Sequence, residues 1–298
     1  MILRSQQAGR LFFIRFPKLL LCCTTFALSR SPFALSYSLA HLPTKPKQQP
    51  PAPLSRCQFS IIQKMASSSS ASEATLQDPV EQAGLPTPII LGSASFTRKL
   101  ILKEMGVNYD IVVRPIDEKG IGDREKDEPS DLVLRLAKAK CAHLFNEIQN
   151  GNTDVDLSRE WVVLTGDQVV THNGKILEKP ENEEEAKDFV ARYGKMPPST
   201  VGSCVLTHIP SGIQVSGVDT ATIHFKETVA TSNLIERLIA DGEPVMSCAG
   251  GLMVEHPYVK EHLERIDGTE DSVMGLSKDL VLRLLGELSE KIKTQNTS

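Results

Sequence analysis

The strongest structural constraint in the sequence is a twenty-residue segment that begins at Trp161, WVVLTGDQVVTHNGKILEKP. The apolar and β-branched residues from Trp161 to Leu164 are typical of a buried strand. Asn173 and Gly174 then separate two extended runs, and this dipeptide favours a two-residue turn because both turn positions need positive φ. The segment therefore predicts a β-hairpin around which the rest of the chain is arranged, with Lys179 ending its second arm.

Asp167 lies at a break in the first arm of this hairpin, directly after Gly166. A carboxylate in an otherwise apolar strand costs free energy unless it has a partner. A preceding glycine lets a backbone or a ligand approach closely. This segment alone leaves two interpretations open: a structural aspartate bonded to backbone donors near a bulge, or a functional carboxylate.

Charge divides the chain into two parts. Residues 1–72 are rich in Ser and Pro and contain nine basic residues but no acidic one; the first carboxylate is Glu73. This composition is typical of an organelle transit peptide, although the LLLCC run from Leu19 also fits the core of a signal peptide. Removing the nine positive charges from the net charge of -4 leaves about -13 for the remainder. An acidic body argues against a general nucleic-acid-binding protein.

We therefore expect a leader at 1–72, a linker at 73–88 and one folded domain at 89–298. The leader predicts a plastid or mitochondrial protein, whereas translation from Met65 would give a cytoplasmic one. No run of about 18 apolar residues occurs, so no membrane segment is expected. The cysteines of the body, Cys141, Cys204 and Cys248, are widely spaced without CxxC, so neither a zinc site nor a disulfide framework is indicated.

A short strand from Ile89, a turn of small residues and a helix follow one another. The free N–H groups at a helix start favour anions. Ser93 and Ser95 add hydroxyl groups there, and Arg98 adds a planar guanidinium suited to phosphate. The structural alternative is a serine N-cap beside a solvated arginine. No GxGxxG or GxxxxGKS motif occurs, so neither a Rossmann nor a P-loop site is implied.

Two further segments contribute charged side chains. Asp117 and Glu118 follow a short predicted strand, where paired carboxylates suit either a divalent cation or a solvated turn. The pattern of 129–148 predicts a long amphipathic helix with Lys140 on or beside its apolar stripe. A lysine in that position either snorkels or directs its ammonium at an anion. Further on, the sequence predicts a helix at 181–194, strands within 200–225, a helix near Leu234 and a last helix capped by Ser277.

Five ordered motifs together resemble the Maf-like nucleoside triphosphate pyrophosphatases over about residues 88–288: GSASFTRKLILKEMG, PIDE, RLAKAKC, GDQVV with NGKILEKP, and CAGGLMVE with RIDGTEDSVMGLSKDL. The resemblance implies an α/β fold of the Maf/ITPase-like kind, an elongated mixed β-sheet flanked by helices with a central cleft, and a homodimer. It implies hydrolysis of modified or non-canonical nucleoside triphosphates to monophosphate and diphosphate with a divalent cation, Mg²⁺ or Mn²⁺.

The resemblance also assigns roles to individual residues. Asp167 matches the proposed catalytic base, and we assign Glu118, with Asp167, to the metal. The positions that match phosphate-binding or cleft residues are Ser93, Arg98, Lys140 and Lys179. The positions that match specificity residues are Thr97, Gln168 and Glu255.

Some residues depart from the commonest family pattern. This chain has Phe96-Thr97-Arg98 where the commonest form has Pro-Arg-Arg, and Ser277 replaces a frequent proline. Gln168 and Glu255 resemble the branch that acts on 7-methyl-GTP, and a carboxylate suits the N–H groups and positive charge of a methylated guanine. The alternatives are a dTTP/UTP pyrophosphatase, a non-hydrolysing nucleotide-binding regulator of cell division, and a pyrophosphatase for non-nucleotide substrates.

Overall fold

Seven strands form one mixed sheet within residues 77–251 and 253–297, which are the residues that the computed structural model describes. The sheet order is β2-β1-β3-β5-β6-β7, with β4 paired to β3. The first three strands are parallel and the other pairings are antiparallel. The strands are β1 Ile89–Leu91, β2 Tyr109–Ile111, β3 Trp161–His172, β4 Lys175–Leu177, β5 Ser199–Ile209, β6 Gln214–Phe225 and β7 Leu263–Asp267. The predicted mixed α/β sheet is confirmed.

Helices cover both faces of this sheet. They are α1 Pro79–Gln82, α2 Phe96–Glu104, α3 Pro129–Gln149, α4 Glu183–Tyr193, α5 Leu234–Ala240, α6 Pro257–His262, α7 Glu270–Met274 and α8 Lys278–Asn296. Three short 3₁₀ segments, Glu227–Thr231, Val245–Ser247 and Ala249–Gly251, join them. None of the helices in the described part of the chain is long and apolar enough to cross a membrane. The predicted leader lies outside the described residues and stays a prediction.

Strand β3 is apolar at successive positions because both of its faces are covered. Val162 and Leu164 pack into the cluster formed with α2 and α8. Trp161 and Val163 pack on the opposite face against α3. Side chains alternate along a strand, so odd-numbered residues of β3 face α3 and even-numbered residues face α8. This parity decides where each side chain of the GDQ motif points.

The hairpin prediction is confirmed at its turn, where Asn173 has φ 51° and Gly174 has φ 72°. The predicted break at Asp167 is wrong, because β3 pairs with β5 without interruption and Asp167 lies opposite Ser203. Gly166 is needed in this ladder for a close approach: a Cβ there would lie 2.5 Å from the carbonyl oxygen of Ser203. Lys179 does not end the second arm, since β4 ends two residues earlier.

The other edge of β3 contains a gap. Its residues 163 and 164 pair with β1, and its residues 170–172 pair with β4. Residues 165–169 have no strand partner on this edge within the described part of the chain. The gap opens at the carboxyl end of the parallel strand β1, the position at which α/β sheets commonly bind ligands.

Residues before Ile89 already pack against the core, although the sequence predicts a linker at 73–88. Asp78 caps α1, and its carboxylate also accepts hydrogen bonds from the Thr87 hydroxyl at 2.8 Å and the Asn108 N–H at 3.0 Å. Val80 is fully buried in the main core. The folded part therefore starts near residue 78, because a buried valine and a carboxylate with four donors hold this segment to the body.

Candidate active site

Asp167, Lys140 and Glu118 form one chain of charges at the gap in the sheet. The Lys140 Nζ lies 2.5 Å from the Asp167 Oδ1 and 3.0 Å from the Glu118 Oε1. The Asp167 carboxylate is buried, the Lys140 side chain is mostly buried, and the Glu118 side chain is half exposed. The Lys140 ammonium therefore points at two carboxylates instead of only reaching solvent. Its role in function stays a prediction.

Asp167 faces α3 because it is an odd-numbered residue of β3. Thr165, on the same face, donates a 2.9 Å hydrogen bond to the Ala137 carbonyl of α3. The backbone N–H of Asp167 donates to the Ser203 Oγ at 3.2 Å, and that hydroxyl donates to the Val133 carbonyl of α3 at 2.8 Å. Ser203 thus fixes β3, β5 and α3 together beneath the carboxylate. Nothing in the local sequence around Ser203 shows that this residue pairs with Asp167, so the sequence alone does not identify it.

Arg98 approaches the gap from the first turn of α2, which Ser95 caps by accepting a hydrogen bond from the Arg98 N–H. Its Nη1 donates to the Gly166 carbonyl at 2.9 Å and to the Ser93 Oγ at 3.3 Å, and its Nε donates to the Gly275 carbonyl at 2.9 Å. Burial lowers the pKa of Arg98 from its ordinary value, and the nearby Asp167 opposes that shift. The Nη2 group makes no hydrogen bond to the described residues and remains available to an anion.

Thr97 and Gln168, two of the three predicted specificity residues, are already engaged with the protein. Thr97 shares a 3.0 Å hydrogen bond with the hydroxyl of Ser95. Gln168 is an even-numbered residue of β3, so its side chain lies on the face opposite Asp167. Its Nε2 donates to the Ser272 and Val273 carbonyls of α7, both at 3.0 Å. Asp167 and Gln168 therefore lie at the same gap but on opposite faces of the sheet.

Lys179 and Glu255 form a second group, which is defined by the electrostatic effect of both charges on Cys248. Burial raises the pKa of the Cys248 thiol to about 12; the charge of Glu255 raises it as well, and the charge of Lys179 opposes the shift. Burial also raises the pKa of Glu255. Within the described residues, neither side chain bonds to the Asp167 group.

A bridge through Arg124 connects the two groups. Its Nε lies 3.1 Å from a carboxylate oxygen of Glu178, and its Nη2 donates to the Glu118 carbonyl at 2.9 Å. The residue before Lys179 is therefore tied to the loop that carries Glu118. Sequence analysis missed Arg124, because it lies in a charged loop where a solvated arginine is the ordinary interpretation.

The donors at the gap fit a hard divalent cation. Asp167 and Glu118 direct oxygens at one ammonium, so both carboxylates reach the same volume. The part of the chain that the structure describes holds no cluster of three or more His, Cys, Asp or Glu side chains able to bind a metal. Two carboxylates still suffice for Mg²⁺, which usually takes one or two carboxylates and completes its shell with substrate phosphates and water.

Comparison with known proteins accords with this site. A family model described as Maf-like protein matches residues 88–288, which include every residue of the site. The chain belongs to the Maf-like family. The Maf-like domain is 36% identical over 203 residues to a 7-methyl-GTP pyrophosphatase of Dictyostelium discoideum, covering 68% of this chain and 98% of the relative.

Other relatives of the Maf-like domain carry different substrate names. A 7-methyl-GTP pyrophosphatase of Idiomarina loihiensis is 31% identical over 169 residues, covering 56% of this chain and 78% of the relative. A dTTP/UTP pyrophosphatase of Alkaliphilus metalliredigens is 31% identical over 188 residues, covering 63% and 89%. The relatives differ in the base that they are named for but share the name pyrophosphatase.

Proposed function

We propose that this Maf-like protein hydrolyses a modified nucleoside triphosphate of the 7-methyl-GTP type to the monophosphate and diphosphate. It is a hydrolase of acid anhydrides, as its relatives are named pyrophosphatases in both substrate branches. The observation that carries the proposal is the chain from Glu118 through Lys140 to Asp167, which lies beside Arg98 at an open edge of β3.

The residues at the gap have distinct roles in this hydrolysis. Asp167 accepts a proton from water, whose oxygen then bonds to a phosphorus of the triphosphate as the bond to the leaving diphosphate breaks. Arg98, through its free Nη2, and Lys140 bind the phosphate oxygens on which negative charge develops, and Lys179 does so from the second group. Such fixed positive charges are the main source of stabilisation in phosphoryl transfer.

Asp167 and Glu118 would hold the divalent cation, and that ion would neutralise charge on the phosphate oxygens. Lys140, which bonds both carboxylates, would then be free to turn its ammonium towards the substrate. The proposal of Mg²⁺ or Mn²⁺ rests on this donor set and on the resemblance. The homodimer stays a prediction that rests on the resemblance alone.

The base is recognised by Glu255. An ionised carboxylate accepts hydrogen bonds from the N1–H and the exocyclic amine of guanine, and it complements the positive charge of a 7-methylated ring. Uracil and thymine offer only one N–H between two carbonyl oxygens, so they satisfy the carboxylate less well. This contrast favours 7-methyl-GTP over dTTP and UTP.

A nucleotide panel tests the function. The full chain is incubated with 7-methyl-GTP, GTP, dTTP, UTP or inorganic triphosphate, with Mn²⁺ or with a chelator, and diphosphate release is measured. We expect the fastest release from 7-methyl-GTP and its loss on chelation. Faster diphosphate release from dTTP or UTP would show that the protein is a dTTP/UTP pyrophosphatase instead. Nucleotide binding without any release would favour the non-hydrolysing regulator.

Replacing Glu255 with Gln is expected to lower kcat/KM for 7-methyl-GTP by about 10–100-fold, the value of a hydrogen bond to a charged group. The pH dependence follows from the raised pKa of this carboxyl. As the pH falls through that pKa, Glu255 takes up a proton at a higher pH than an ordinary glutamate and loses its acceptor charge, so the KM of the wild type rises. Glu255→Gln should lack this rise.

The matched control for this prediction is Glu264→Gln, since Glu264 is exposed on β7 nearby in sequence. It should keep the wild-type KM and its pH dependence. The same rise of KM at low pH in Glu255→Gln would contradict the role of this carboxyl in base binding.

A further inference from the structure

The carboxyl end of α7 supplies three backbone carbonyl groups to the active site. The Gly275 carbonyl accepts the Nε–H of Arg98 at 2.9 Å. The Ser272 and Val273 carbonyls accept the amide of Gln168 at 3.0 Å. These carbonyls lie at a helix end, where carbonyl groups carry partial negative charge, and the Ser272 carbonyl also accepts the Gly275 N–H at 3.3 Å. The orientation of Arg98 and Gln168 therefore depends on where this turn of chain is held.

Helix α7 has only five residues, and a helix of that length is not stable by itself. Tertiary bonds must fix it, and Asp219 of β6 provides them. The Ser272 hydroxyl donates a hydrogen bond to the Asp219 carboxylate. Asp219, Ser272, Gly275 and Ser277 line one small cavity. Asp219 therefore holds the start of the turn whose Gly275 carbonyl receives Arg98.

Asp219 is half-buried under this turn, opposite Gly202 of β5. Burial raises its pKa from the ordinary value, which shows that the carboxylate is held at a cost. The Ser272 hydroxyl offsets that cost. Ser277 caps α8 by accepting the Leu280 N–H, which fixes the other end of the same turn.

We propose that Asp219 is a positioning residue of the active site, which acts on Arg98 and Gln168 by holding the 272–277 turn through its hydrogen bond to Ser272. The proposal rests on the proposed function for its effect on catalysis. Asp219 acts in this way without binding the substrate itself. Ser272 lies in the turn whose Gly275 carbonyl accepts Arg98, and Arg98 in turn donates to the Gly166 carbonyl directly before Asp167.

Removal of the Asp219 carboxylate should release the turn and misplace Arg98. A displacement of about 1 Å at a catalytic site can cost on the order of 100-fold in rate. We therefore expect Asp219→Ala to lower kcat/KM about 10–100-fold. Asp219→Asn should recover most of this loss, because its amide oxygen still accepts a serine hydroxyl. Asp110→Asn is the control, since it removes the same charge from an exposed residue of β2 and should behave as wild type.

A double-mutant cycle separates positioning from general destabilisation. If Asp219 acts through Arg98, then Asp219→Ala should cost much less in an Arg98→Lys background than in the wild type. If the two losses in kcat/KM simply multiply, Asp219 acts elsewhere and the proposal is overturned. Should Asp219→Ala fail to fold, Ser272→Ala removes the same hydrogen bond from the other side and carries the same comparison.

A second readout needs no activity. The Arg98 Nε–H signal in a ¹⁵N NMR spectrum, assigned by its absence in Arg98→Lys, should exchange slowly with water in the wild type. We expect faster exchange in Asp219→Ala and no change in Asp110→Asn. If no nucleotide is hydrolysed by the wild type, the proposed function fails while this test still stands. Wild-type exchange in Asp219→Ala would overturn the positioning role.

Discussion

Replacing Asp167 with Asn is expected to lower kcat by about 10²–10⁴, the usual contribution of a general base. The amide keeps the size of the carboxyl and an oxygen that can accept the Lys140 ammonium, so the bond seen at 2.5 Å has a substitute. It cannot take a proton from water, and it carries no charge to bind a cation. The nucleotide phosphates keep Arg98 and Lys179, so we expect KM to change much less than kcat.

The measurement is the rate of diphosphate release at saturating nucleotide and Mn²⁺. Asp110→Asn serves again as the matched control, because it makes the same chemical change on an exposed strand position. Thermal unfolding of both variants checks that the fold is kept. Near-normal turnover in Asp167→Asn would refute the role as base, even if the affinity for the metal fell.

Replacing Lys140 with Gln is expected to lower kcat by about 10²–10³, the cost of removing one donor that stabilises the transition state. Lys140 reaches both Asp167 and Glu118, so its loss has two effects. The triphosphate loses a positive charge, and the two carboxylates lose the group that draws them together. The second effect predicts a changed dependence of the rate on metal concentration.

The matched control is Lys138→Gln, two residues earlier on α3. Lys138 is exposed, whereas the Lys140 side chain is mostly buried at the gap. A helix separates residues two apart by about 200° around its axis, so Lys138 lies on the other side of α3 and its loss should leave kcat unchanged. Equal losses in the two variants would mean that net charge, and not the position of the ammonium, explains the effect.

Patterns of period and turn chemistry predicted the elements well. The Asn-Gly turn, the α3 helix and the Ser277 cap are local features, and each is present at the predicted place. The predictions are wrong where the placement of a residue depends on contacts with a segment that is distant in the sequence. Asp167 was placed at a break because an acidic residue disfavours a buried strand, yet β5 and Lys140 from α3 accommodate it in an unbroken one.

The motif Gly166-Asp167-Gln168 predicted two candidate site residues but not the directions of their side chains. The parity of β3 sends Asp167 towards α3 and Gln168 towards α7, and that parity depends on which faces of the sheet α3 and α8 cover. Ser203, Arg124 and Asp219 were missed for the same reason. Each is an ordinary polar residue in its own segment. Each makes its hydrogen bond with a partner more than 35 residues away in the chain.

By itself, the amino-acid sequence determined the family, most of the longer strands and helices, and the identity of the charged residues at the gap, because these depend on short-range spacing and on motifs. It did not predict β7 or the short helices α1, α6 and α7. Only the tertiary structure decided that the Glu118 and Asp167 carboxylates share the ammonium of Lys140. It also decided that Lys179 and Glu255 act on Cys248 as a second group. The reason is physical: an ion pair depends on distances of 3–4 Å between segments far apart in the chain, and those distances are set by the packing of α3 and the 117–127 loop against β3.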